Sequence, residues 1–165
     1  MRKAIYFLLL ITAVAFLGIW AANNNGEQKS QVKVFFAKNG EVLPVLRSLS
    51  ADQAAENGAL LHLLNGPSEQ EKADGFFTEI PKNTKGSIIS NENGIITVNF
   101  SKELGQYGGG TARVQTLLSQ IVFTLTEVKG VNKVKILVSG KEGIALGSEG
   151  FAIERPLSKK DILGN

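Results

Sequence analysis

The sequence predicts an α+β domain: a small antiparallel or mixed sheet with two main helices packed on one face, preceded by one transmembrane or signal helix. Three features carry that expectation. Residues 111–138 change period. Val114, Leu117, Leu118, Ile121, Val122 and Leu125 recur at i, i+3, i+4, i+7, i+8 and i+11, one apolar helix face. Val134, Ile136 and Val138 then alternate with Lys133, Leu137 and Ser139, as in a half-buried strand. Two Asn-Gly pairs, Asn39-Gly40 and Asn93-Gly94, each sit between apolar-rich stretches, which is the strongest short-range hairpin signal. Residues 4–22, AIYFLLLITAVAFLGIWAA, carry no charge, and about 20 such residues span a bilayer core as a helix.

Arg2 and Lys3 stand before the apolar run and Trp20 near its end, as in a segment with its N-terminus inside and an aromatic belt at the far interface. A cleaved secretory signal is the alternative. A cut after Ala22 would place Trp20 at the −3 position and a cut after Ala21 would place Ile19 there, so a retained anchor fits better. Either reading exports the chain from Asn23 onward. Residues 23–31, NNNGEQKSQ, form a polar linker, and residues 32–157 are expected to form the domain.

Residues 32–37 read as a first strand with Val32, Val34 and Phe36 on one face and Lys33, Phe35 and Ala37 on the other. Residues 42–49 return after Asn39-Gly40, and Pro44 marks a sheet edge. A first helix is expected over residues 51–65, opened by the Ser50 to Gln53 capping box and closed by Gly66-Pro67, with Ala54, Leu60, Leu61 and Leu64 buried. Residues 68–74 read as an exposed charged loop. Residues 87–90 and 95–101 make the second hairpin, with Ile96, Val98 and Phe100 toward the core. Residues 102–110 are expected to be a loop leading to Thr111 as N-cap of the main helix, and Gly130 suits the turn after it. Residues 144–146 and 151–154 form a short terminal hairpin or extended tails, and residues 158–165 a flexible tail.

Composition limits the chemistry. With 165 residues and 43% hydrophobic content, the chain can build one real core. The absence of cysteine removes disulfides, thiolate metal sites, thiol nucleophiles and a lipidated cysteine together. The formal charge is +3, but Arg2 and Lys3 precede the apolar run, so the rest is near neutral and no nucleic-acid partner is indicated. His62, the sole histidine, lies in the run LLHLL without a sequence neighbour that could serve it as catalytic or metal partner, which fits a structural or surface histidine. Asp74, Glu79 and Glu103 are candidate hydrolase carboxylates, yet no spacing pairs them. Gly108-Gly109-Gly110-Thr111 at a helix N-terminus can hold an anion but lacks the lysine of a P-loop. No catalytic, cofactor-binding or metal residues are assigned, no cofactor is expected, and the protein is read as non-enzymatic.

The candidate interaction surface is Phe35, Leu137, Lys129, Lys133 and Lys135. Phe35 and Leu137 lie opposite the expected core faces, where helices covering one side of the sheet would leave them open. The lysines cluster and suit an acidic partner patch or an anionic polymer, although lysine also protects sheet edges.

Several motifs in order resemble the GerM domain family of sporulation, germination and other bacterial envelope proteins. Leu63-Leu64-Asn65-Gly66-Pro67 resembles the family's first-helix terminus. It is followed by Gly75-Phe76, Ile80-Pro81, Val98-Asn99-Phe100-Ser101, then QIVFTLT from Gln120, then Val131 and Val134-Lys135-Ile136-Leu137-Val138-Ser139-Gly140. The resemblance spans residues 32–156 as a single copy. It implies a fold similar to ring-building motifs and a non-catalytic interaction role in the bacterial cell envelope, in a sporulation- or germination-related assembly. The partners implied are other envelope proteins or further copies of the chain. A peptidoglycan or anionic wall-polymer binder is the alternative.

Overall fold

Asn39 and Gly40 take φ of 53° and 84°, and Asn93 and Gly94 take 52° and 77°, the paired left-handed conformations that close two-residue hairpins. In the computed structural model, which describes residues 30–106 and 108–164, these turns join β1 (Gln31–Lys38) to β2 (Glu41–Ser48) and β3 (Gly86–Glu92) to β4 (Ile95–Phe100). Both pairs are antiparallel. Between them lie α1 (Ala55–Asn65) and the short α2 (Glu69–Ala73). After β4 come α3 (Lys102–Gly105), the long α4 (Thr111–Thr126) and β5 (Lys133–Val138). A terminal hairpin, β6 (Ile144–Leu146) and β7 (Phe151–Ile153), precedes α5 (Lys159–Leu163). The architecture is α+β with small sheets: β1–β2, a mixed β3–β4–β5 and β6–β7.

The α4 crossover makes β5 parallel to β4, with Val98 opposite Ile136 and Asn99 opposite Leu137. Ile96, Val98 and Phe100 of β4 and Val134, Ile136 and Val138 of β5 are all buried. So are Val114, Leu117, Leu118, Ile121, Val122 and Leu125, the stripe that the sequence periodicity marks on α4. These side chains join Val34, Phe36, Ala59, Leu60 and Leu63 in one hydrophobic cluster. Its driving force is removal of apolar surface from water, worth roughly 25 cal/mol per Å².

The free edge of β1 is closed in an uncommon way. Thr124 Oγ1 accepts the Phe35 N–H at 3.0 Å, and Gln120 Nε2 donates to the Phe35 carbonyl at 3.4 Å. Both side chains are fully buried. Gln120 Oε1 also accepts the Glu79 N–H at 2.8 Å. One residue pair further, Ala37 and Phe77 exchange backbone bonds of 2.9 and 2.8 Å. A strand edge that would otherwise recruit another strand is satisfied by side chains spaced i, i+4 on α4.

Four segments differ from the sequence reading. The first helix starts at Ala55, not near residue 51: Gln53 N–H bonds the Ser50 carbonyl in a turn, and Ala54 is an N-cap without a side-chain bond. That turn carries Leu49 under Gly58, where a β-carbon would stand 2.2 Å from Leu49 Cδ2. The helix is rotated accordingly, so Gly58, Ala59, Leu60 and Leu63 are buried while Leu61 is 49% exposed and Ala54 is exposed. Within residues 68–74, expected as a loop, Glu69–Ala73 is helical, because Ser68 and Glu71 form a capping box. Within residues 102–110, α3 buries Leu104 completely. The expected tail contains α5, capped by Ser158 with Asp161 in a second capping box and anchored through buried Ile162. The apolar run of residues 4–22 lies outside the described residues, among which no helix is long and apolar enough to cross a membrane.

Candidate functional site

The alternation of β4 and β5 leaves one face of the mixed sheet turned from the core. Cross-strand register places Ile95 beside Lys133, Thr97 beside Lys135 and Asn99 beside Leu137 on that face. Lys133 is exposed and the other five are half-buried, against complete or near-complete burial of their neighbours on the core side. Asn99 is held there by accepting the Gly140 N–H at 2.8 Å. At the β3 edge, the register shifts between Ile88 and Ser90, and the bulged Ile89 is 58% exposed.

Of the expected surface residues, Lys133, Lys135 and Leu137 share this face. Lys129 does not: it is exposed in the turn after α4. Phe35 is buried rather than open, a correction with a clear cause. Its ring meets Phe123 edge-to-face at 5.7 Å and 80°, and Lys159 Nζ stands 5.9 Å from its centroid. α4 and α5 thus cover the side of β1 that alternation alone leaves exposed. The sequence reading omits Ile95, Thr97 and Asn99 because their alignment with Lys133, Lys135 and Leu137 depends on a parallel register set by the α4 crossover.

The electrostatics of the face are mild. Lys135 pairs with Glu142 at 2.6 Å, while Lys133 and Lys129 have no carboxylate partner among the described residues. The pocket that Lys135 lines with Glu142 and Arg155 holds about 80 Å³, below the few hundred Å³ of a small-molecule site. The carboxylates considered for hydrolysis stand on separate elements. Asp74 caps α2, Glu79 binds Arg113 at 2.7 Å, and Glu103 on α3 is held below the usual carboxylate range by the Ser101 hydroxyl. His62 is half-buried on α1. Among the described residues, no three His, Cys, Asp or Glu side chains gather as a metal site. At the α4 N-terminus, Gly110 is the N-cap and Glu149 accepts the Thr111 hydroxyl, so the chain's own carboxylate lies where an anion would bind.

Two carboxylates with cationic partners, Glu71 and Glu127, brace the scaffold. Arg47 grips Glu71 with bonds of 2.7 and 2.5 Å, which lowers the Glu71 carboxyl to about 2. Glu127 lies between Lys159 and Lys33, and the Lys159 bond in particular holds its carboxyl low.

The comparisons with known proteins agree with this architecture. The family model described as Germane, sporulation and spore germination, matches residues 22–143. The curated spore germination protein GerM of Bacillus subtilis is 27% identical over 125 residues, covering 75% of this chain and 34% of that protein. The chain therefore corresponds to about a third of that relative's length. The first GerMN domain of B. subtilis GerM has a TM-score of 0.65 and 25% identity, over 80% of this chain and 99% of the domain. The tandem GerMN structure gives a TM-score of 0.59 at 21% identity, over 80% of this chain and 47% of that one, a likeness of fold. With the family model covering most of its length, this chain belongs to the Germane family of sporulation and spore germination domains.

Proposed function

We propose that the protein is a non-catalytic interaction module of the bacterial envelope, anchored through residues 4–22, that docks a protein partner on the open face of its mixed sheet. The observation that carries the reading is the row of Ile95, Thr97, Asn99, Lys133, Lys135 and Leu137, aligned by the parallel register on the face turned from the core, Lys133 exposed and the others half-buried. A face with apolar side chains among lysines suits a partner surface that is apolar and acidic. The relative named as a spore germination protein supports placing this assembly in sporulation or germination. Residues 4–22 contribute an uncharged run of membrane-spanning length, which supports export of the domain.

The test is in-cell crosslinking from photo-reactive residues at Leu137 and Lys133, with one at the buried Phe35 as control. Specific protein adducts from Leu137 and Lys133, with none from Phe35, are expected. Adducts to wall material alone, released from purified wall as salt rises, would instead assign the lysines to an anionic polymer. Absence of adducts from both sheet positions would reject this face as the docking surface.

A further inference from the structure

The end of the domain entered by the linker has an unusual surface. β1 begins there at Gln31, opposite Ser48, the last residue of β2. Two residues in, Lys33 lies directly across from Leu46, so both side chains share one side of the hairpin. Leu46 is 62% exposed, tied with Leu163 as the most exposed large apolar side chain among the described residues. α4 runs antiparallel to β1 and ends at the same level, where Glu127 bridges Lys33 and Lys159. Two lysines share that one carboxylate. Lys129 in the following turn and Lys160 on α5 are exposed and have no carboxylate partner among the described residues. Asp52, Glu56 and Glu92 also lie toward this end, but on the opposite flank, at the start of α1 and the end of β3.

We infer that the α4 flank of this end rests on an anionic lipid surface, with Leu46 at the headgroup boundary and Lys33, Lys129, Lys159 and Lys160 against the acidic headgroups. The inference rests on the anchoring proposed for residues 4–22. Residues 23–30 separate that run from β1, and eight residues reach at most ~28 Å, with a root-mean-square span of roughly 15 Å. This end is consequently confined close to the bilayer, where each lysine near an anionic surface tightens contact roughly fivefold. An exposed apolar side chain beside a lysine, on a flank that carries further lysines, is the composition that partitions to such an interface. There is a consequence for the docking face. β4 and β5 both start at this end and run away from it, so the contact stands the sheet upright and turns its open face toward neighbours in the membrane plane.

The chain has no cysteine, which makes single-cysteine labelling clean. The full chain is reconstituted in phosphatidylcholine vesicles, with and without phosphatidylglycerol, carrying a nitroxide-headgroup quencher. A fluorophore is placed at Ser48→Cys or, at the far end of the same strand, at Glu41→Cys. Quenching at position 48 is expected to exceed that at 41. It should fall to its phosphatidylcholine level when phosphatidylglycerol is omitted, when salt is raised, or when Lys129→Glu and Lys160→Glu are combined. Equal quenching at the two positions, or quenching at 48 indifferent to lipid charge and to salt, would overturn the inference. Carbonate washing of the same vesicles reads the anchor separately. Release of the chain there would overturn the anchoring and the inference with it, by a signature distinct from equal quenching.

Discussion

Phe35 and Leu137 occupy the same place in the sequence pattern and opposite places in the molecule. Each is a large apolar residue at the polar phase of a strand whose other phase is core. Phe35 is 9% exposed, roofed by Phe123 and Lys159, with its backbone bonded by Thr124 and Gln120. Leu137 is half-buried on a face that α4 does not reach. The difference lies in what the strand's neighbours supply. β1 pairs only with β2, so α4 closes its free edge and packs over its second side. β4 already has β3 and β5 on its two edges, leaving the helices to cover one face only.

The sharpest break between the two positions is truncation. Phe35→Ala removes a buried ring and its edge-to-face partner, and is expected to cost about 3 kcal/mol in denaturant unfolding. A loss below about 1 kcal/mol would mean that the roof over β1 is loose and that Phe35 belongs with Leu137 after all.

The next largest effect separates the closed edge from the roof. Gln120→Leu keeps the helix and roughly the volume, but leaves the Phe35 carbonyl and the Glu79 N–H without their bonds. The expected loss is about 2 kcal/mol, with faster hydrogen exchange at the Glu79 amide. Thr124→Val should act more locally, through the Phe35 amide. If exchange at both amides stayed unchanged, the edge would be protected by something other than these side chains.

Much of this is legible from residue order, and the exceptions have physical reasons. The hairpins are local events, so Asn39-Gly40 and Asn93-Gly94 announce them. The α4 stripe and β5 alternation follow from periodicity. The closed edge at Phe35 comes from residues such as Thr124, 89 positions away, and no local pattern encodes it. The helices α2 and α5 are too short for periodicity, although Ser68 with Glu71 and Ser158 with Asp161 are readable capping pairs. α1 is apolar around most of its circumference through LLHLL, which is why periodicity misplaces its buried side by one step. On the open face, strand alternation reveals Lys133, Lys135 and Leu137. Their partners on β4 require the register.

A smaller effect concerns pH and the tie between β2 and α2. Glu71 has its carboxyl lowered from 4.5 to about 2 by Arg47, so the folded state favours the ionised form. That contribution is full above about pH 4.5 and is lost as pH falls toward 2. Because the pair is partly solvated, about 1–2 kcal/mol is expected rather than the full linkage value. Glu71→Gln should therefore be less stable than the parent at neutral pH and converge with it near pH 2. Parallel pH–stability curves for the two would show that the Arg47 pair contributes nothing specific.

The smallest expected change in stability is the most informative about function. Leu137→Ser removes an apolar side chain from the face opposite the core, where little packing is at stake, and should cost less than about 1 kcal/mol. Crosslinking from Lys133, on the same face of the same strand, should nevertheless drop, because a docking surface loses affinity when its apolar centre becomes polar. Stability and capture are then separable at Leu137, whereas Phe35→Ala disturbs both through the fold. A Leu137→Ser chain destabilised as much as Phe35→Ala would show that this face is covered as thoroughly as the roofed side of β1. The contrast between the two residues, and the docking role built on it, would then fail together.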